Sequence, residues 1–161
     1  PHLCDAGVNF TFNDHCILKP DFSKPMIPHL AMNADVVVFS LFPGIQENTV
    51  RAILQVNELR SIVMRSFGSG NAPQSLWLKH LLESAAKRGI VIVNISQCVA
   101  GSVEMTRYNT GFQLQNTGIV SGYDSTVEAA ITKLMFLQAQ HSDPNVIRKL
   151  MNTSLAGEIT K

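Results

Sequence analysis

The chain has 161 residues, of which 45% are hydrophobic and 16% are charged, and its formal net charge is +1. This length and composition are typical of one folded globular domain and exclude a disordered chain. A nearly neutral charge with scattered basic residues argues against nucleic acid as a partner, and no apolar run approaches the roughly 20 residues that span a bilayer. Three cysteines without a framework spacing, and no signal peptide, predict a cytoplasmic protein.

The first 34 residues differ in composition from the rest of the chain. They hold four of the seven prolines and one extended segment, GVNFTF at 7–12. Proline fixes φ and removes a backbone donor, so residues 1–34 are predicted to be a linker or edge segment rather than a folded unit. Because the sequence starts at Pro1 and not at Met, we expect it to begin inside a longer protein.

Strand and helix patterns alternate from residue 35 onward. The predicted strands cover 35–41, 60–67, 90–95 and 118–121. The predicted helices cover 47–56, 74–88, 112–116, a segment that Asp124 or Ser125 caps, and 143–151. The strands are continuous apolar runs, as expected for parallel strands that are buried on both faces. The sequence therefore predicts an α/β fold with a small open parallel sheet and helices on both of its faces, a Rossmann-like arrangement.

Two helix starts carry specific capping patterns. Ser125 and Glu128 have capping-box spacing, which predicts that the third long helix begins there. Asp143 followed by Pro144 predicts the start of the last helix.

Polar loops follow two of the buried strands and predict a ligand site. The second strand leads into RSFGSGNAPQ at 65–74, and the third leads into SQCVAGS at 96–102. Ligands of open α/β sheets bind where parallel strands end, and an arginine fork there can hold a carboxylate. Asn71 could bind an amide or an ammonium group. The alternative is that Arg65 pairs with a local carboxylate and that the glycines at 68 and 70 serve only a tight turn.

Other chemistry is weakly represented in the sequence. Cys98 has no histidine near it in sequence, which favours a lining residue over a nucleophile. A zinc site is disfavoured because its candidate ligands lack the usual paired spacing; they are His2, Cys4, His15 and Cys16. We predict no catalytic residue, no metal and no cofactor in this chain.

Four motifs resemble one family, the C-terminal domain of bacterial cytoplasmic (type I) L-asparaginases. The motifs are RSFGSGNAPQ (65–74), VNISQC (93–98), YNTG (108–111) and STVEAAITKL (125–134), with FPGI (42–45) and LAGEIT (155–160) similar as well. The resemblance implies that residues 35–161 are the C-terminal α/β domain of the asparaginase fold. It also implies that residues 1–34 lead from an N-terminal domain that this sequence does not contain.

The resemblance implies a function for the whole protein and roles for single residues. Asparaginases hydrolyse asparagine to aspartate and ammonia through a threonine of the N-terminal domain, and they assemble as homodimers or homotetramers. By resemblance, Asn71 completes the active site of a neighbouring subunit. An allosteric asparagine site corresponds to Arg65, Ser96, Gln97 and Cys98, where Ser96 replaces the threonine of the family. The alternatives are an asparaginase-like subunit of a tRNA-dependent amidotransferase and a stand-alone amino-acid-binding module.

Overall fold

The computed structural model describes residues 3–98, 102–103 and 117–160. Its strands are β1 (Cys4–Ala6), β2 (Phe10–Phe12), β3 (Val36–Ser40), β4 (Ser61–Ser66), β5 (Val91–Ser96) and β6 (Val120–Ser121). Its helices are α1 (Glu47–Leu54), α2 (Leu76–Lys87), α3 (Val127–Gln140) and α4 (Pro144–Met151), and a 3-10 turn covers Asp14–Cys16.

The main sheet is parallel throughout, in the order β3-β4-β5-β6. Right-handed crossovers between strands that follow each other in this order place α1 and α2 on the same face of the sheet. The helices α3 and α4 come after the last strand and cover the other face. The structure confirms the predicted α/β fold with a small parallel sheet and helices on both faces.

The pleat of the sheet divides the core into two layers. Ile62 and Met64 of β4 face α1 and α2, and they share a core cluster with Leu78 and Leu82 of α2. Val63 lies between Ile62 and Met64 in sequence and packs on the opposite side, against α3 and α4. Because side chains alternate along a strand, the next residue of β4 on the α3 side is Arg65. The fold thus directs Arg65 toward α3 at the point where β4 ends.

The residue predicted to cap α3, Asp124 or Ser125, is wrong. Thr126 is the N-cap, and its side chain accepts a hydrogen bond from the Ala129 N–H. Asp124 instead accepts the backbone N–H of Thr160, and the Ser125 hydroxyl points toward the Glu158 carbonyl at 3.5 Å. The helix starts later than predicted because both candidate caps are used by the C-terminal residues.

The capping predicted for the last helix is confirmed. The Asp143 side chain accepts the Asn145 N–H, and Pro144 occupies the first turn of α4. The sequence alone was sufficient here because the cap and its partner are two residues apart.

The N-terminal residues form a hairpin of which the sequence predicted only the extended segment 7–12, which contains β2. The strands β1 and β2 make an antiparallel hairpin outside the main sheet. Most of segment 3–34 is exposed, and the exposed side chains include Phe10, Phe12, Phe22 and Leu30. The helix predicted at 112–116 and the YNTG motif at 108–111 lie outside the described residues. In the described part of the chain, no helix combines the length and apolar character needed to cross a membrane.

Candidate functional site

A cavity of about 200 Å³ opens where β4 and β5 end. Arg65 of β4 and Ser96 of β5 line it, and the first turn of α3 forms the opposite wall. A helix that follows the last parallel strand starts at the carboxyl edge of the sheet, so the N-terminus of α3 faces the strand ends. All four residues predicted for an effector site line this one cavity: Arg65, Ser96, Gln97 and Cys98.

Among the described residues, the Arg65 side chain lines the cavity without a carboxylate partner. Its Nε is buried and has no hydrogen-bond partner, and no described carboxylate forms an ion pair with it. A guanidinium at a cavity wall can hold an anion through charge-assisted hydrogen bonds. The alternative of a local carboxylate partner for Arg65 therefore finds no support among the described residues.

Three residues after β5 shape the floor of the cavity. The Ser96 hydroxyl donates to the Gly68 carbonyl at 2.6 Å and accepts the Cys98 N–H at 2.9 Å. The Gln97 amide nitrogen donates to the carbonyls of Leu41 and Arg65, at 2.6 and 2.9 Å. These bonds tie the ends of three strands together. Cys98 is a free and exposed thiol at the cavity rim.

The wall formed by α3 adds acidic groups that the sequence analysis did not assign to a site. Asp124 and Glu128 line the cavity together with Ser125, Thr126 and Val127. Burial alone would raise the pKa of Asp124, but hydrogen bonding to Thr160 outweighs it and lowers the pKa below its ordinary value. The cavity thus combines a guanidinium with an ionised carboxylate. The sequence position of Asp124 and Glu128 could have predicted this, because a helix that follows the last parallel strand begins beside the ends of the other strands.

Asn71 lies in a separate part of the same edge. A tight turn closes at Phe67 and Asn71, whose backbones exchange two hydrogen bonds of 2.8 Å. Gly70 within it has φ of 110°, and a Cβ there would lie 2.8 Å from the Val103 side chain. The glycine is thus required by turn geometry and packing. Asn71 does not line the Arg65 cavity, so the structure keeps the two predicted roles apart.

The acidic side chains of the cavity form no metal centre with the other described side chains. Within segments 3–98, 102–103 and 117–160, no group of three His, Cys, Asp or Glu side chains is arranged to hold a metal ion.

The fold and cavity define a class of protein: a parallel α/β domain with a polar cavity where its strands end. The glutaminase/asparaginase C-terminal domain model matches residues 35–151. The chain belongs to this family, which confirms the resemblance drawn from the motifs.

Individual relatives of this chain include L-asparaginases and a lysophospholipase. L-asparaginase 1 of Escherichia coli K12 is 41% identical over 160 residues, which are 99% of this chain and 47% of that protein. The human 60 kDa lysophospholipase is 38% identical over 98% of the chain, which is 27% of its own length. The crystal structure of Vibrio cholerae L-asparaginase I superposes with a TM-score of 0.87 at 33% identity. It matches 99% of this chain and 48% of that one.

Relatives among the amidotransferases are more distant. A glutamyl-tRNA(Gln) amidotransferase chain of Methanobrevibacter smithii is 34% identical over 131 residues, 81% of this chain and 29% of that protein. The chain spans about half the length of the bacterial asparaginases that it matches.

Proposed function

We propose that this chain is the C-terminal domain of a cytoplasmic L-asparaginase, which hydrolyses asparagine to aspartate and ammonia. The nucleophilic threonine lies on an N-terminal domain outside this chain. In this proposal residues 1–34 are the interdomain linker, and residues 35–161 are the C-terminal domain. The domain contributes to an oligomer interface, and its cavity at Arg65 binds asparagine as an effector.

One observation carries the effector assignment: the four residues named from the motifs line a single cavity with a cation at one side and acidic groups at the other. A free amino acid has a carboxylate that suits a guanidinium and an ammonium that suits carboxylates and carbonyl oxygens. The Arg65 guanidinium lines the cavity and provides charged donors for the carboxylate. A cavity of about 200 Å³ suits a small amino acid rather than a larger ligand.

Asn71 serves the neighbouring subunit in this proposal. It sits at the end of a turn that is fixed by backbone hydrogen bonds and by the packing of Gly70 on Val103. A rigid turn can present a side chain across an interface with little loss of conformational entropy. Asn71→Ala in the full-length protein should therefore lower kcat/KM for asparagine while leaving effector binding at Arg65 unchanged.

Titration calorimetry with asparagine, on the full-length protein with its nucleophilic threonine replaced to prevent turnover, tests the effector site. In Arg65→Ala the carboxylate loses its charged partner, which should weaken binding by roughly 2 kcal/mol, or about thirtyfold. Arg51→Ala is the matched control because Arg51 is exposed on α1 and pairs with Glu47. Equal affinities in Arg65→Ala and the unmodified protein would refute this placement of the site.

The alternatives make different predictions in the same experiments. An amidotransferase chain fits less well because those relatives are less similar to this chain and cover less of it. A stand-alone sensor would show saturable asparagine binding by this chain alone, whereas no binding would favour a site that the N-terminal domain completes. We expect the isolated chain to show no asparaginase turnover, and turnover by the chain alone would exclude the two-domain proposal.

A further inference from the structure

The residues after α4 form an anchored segment, residues 153–160, which we call the C-terminal strap. Glu158 organises it, because its carboxylate accepts the N–H groups of Leu155 and Ala156 at 3.1 and 2.6 Å. Ile159 is 3% exposed and buries its side chain beside the core. The strap therefore has a fixed conformation although it contains neither helix nor strand.

A buried lysine holds the strap to α3. The Lys133 ammonium lies 2.5 Å from the Glu158 carboxylate, and the two side chains are 5% and 13% exposed. The same ammonium donates to the carbonyls of Met151 and Thr153, at 3.3 and 2.6 Å. All three donors of the ammonium are thus used at the junction of α3, α4 and the strap.

The far end of the strap contacts the wall of the Arg65 cavity. The Thr160 N–H donates to Asp124 at 2.8 Å, and the Glu158 carbonyl lies 3.5 Å from the Ser125 hydroxyl. Asp124 and Ser125 both line the cavity. They precede the Thr126 cap of α3, so the strap holds the turn that brings the chain into this helix.

We propose that the C-terminal strap is a positioning element that fixes the α3 wall of the Arg65 cavity. Thr160 and Glu158 are positioning residues, since they act on the cavity through Asp124 and Ser125. The strap keeps the acidic wall at a set distance from the Arg65 guanidinium, and loss of the strap bonds lets this wall move away. The identity of the ligand as an amino acid rests on the proposed function, whereas the coupling between strap and wall does not.

Hydrogen exchange and asparagine titration, on the full-length protein with its nucleophilic threonine replaced to prevent turnover, test the proposal together. Thr160→Pro removes the N–H donor to Asp124 at an exposed position, and Glu158→Gln removes the charge that pairs with Lys133. In both variants, exchange at the first-turn amides of α3 should rise at least about tenfold, because a held turn becomes free to open. Asparagine affinity should fall about threefold to tenfold in both, and Thr160→Pro should show this loss at a Tm close to that of the unmodified protein.

Thr153→Ala is the matched control because its hydroxyl bonds back to Lys149 of α4 and not to the cavity wall. Unchanged exchange at the start of α3 in both Thr160→Pro and Glu158→Gln would overturn the proposal. Increased exchange with unchanged asparagine affinity would overturn it too, because the strap would then be purely structural. If the unmodified protein binds no asparagine, the proposed function fails and the exchange comparison alone decides on the strap.

Discussion

At the scale of single residues, Glu158 has the most strongly lowered pKa of the described carboxyl groups. Burial alone would raise the pKa of Glu158, but the Lys133 ammonium and the backbone N–H groups of the strap outweigh it. Together they lower the pKa from 4.5 to about 2. A carboxyl with a lowered folded-state pKa stabilises the protein fully above pH 4.5. This contribution is lost as the pH falls toward 2.

Glu158→Gln should therefore make the free energy of unfolding depend less on pH below 4.5. The shift corresponds to roughly 3 kcal/mol of unfolding free energy between pH 4.5 and 2, at about 1.4 kcal/mol for each pKa unit. Chemical unfolding at several pH values measures the difference between the unmodified protein and the variant. A difference that stays constant from pH 5 to pH 2 would contradict the ion pair with Lys133.

Residue roles were partly predictable from the sequence. Arg65, Ser96 and Cys98 lie where buried strands end, so the sheet alone brings them together. Asp124 was predicted as a cap because its spacing to α3 suits one, yet its carboxylate binds Thr160, 36 residues further on. Local spacing cannot reveal a hydrogen-bond partner that only the tertiary fold supplies.

At the scale of elements, continuous apolar runs identified β3, β4 and β5, and β6 was predicted only as a short strand at 118–121. Such runs are strong signals because both faces of β4 and β5 are buried. The hairpin of β1 and β2 was only partly predicted. Its strands are three residues long and mostly exposed. Short exposed strands carry no alternation that would mark a buried face.

The close approach of β6 to β5 gives a prediction for Gly122. A Cβ at this position would lie 2.5 Å from the Ile95 side chain and 3.2 Å from the Asn94 carbonyl. Gly122→Ala should therefore destabilise the protein by about 1–3 kcal/mol, the usual cost of overpacking. Denaturant unfolding measures this change.

Gly7→Ala is the control for Gly122→Ala, because a Cβ at Gly7 meets only the Asn9 carbonyl, at 3.8 Å. If the two alanine variants unfold at the same denaturant concentration, β5 and β6 do not pack as described.

At the scale of the whole molecule, the exposed apolar surface of segment 3–34 is large for a folded domain. Phe22, Met26 and Leu30 are each at least 90% exposed. Surfaces of this kind mark contacts with another domain or subunit. We therefore expect the isolated chain to self-associate, and sedimentation velocity would show mass above that of the 17.7 kDa monomer. A single monomeric species at high concentration would argue against a covering domain.

The cavity at Arg65 is proposed to receive an amino acid. A crystal structure of the full-length protein with saturating asparagine, and with the nucleophilic threonine replaced to prevent turnover, shows whether it does. It should show a carboxylate against the Arg65 guanidinium, with the ligand between Ser96 and the first turn of α3. Asparagine bound elsewhere in the protein, with this cavity holding only water, would contradict the account.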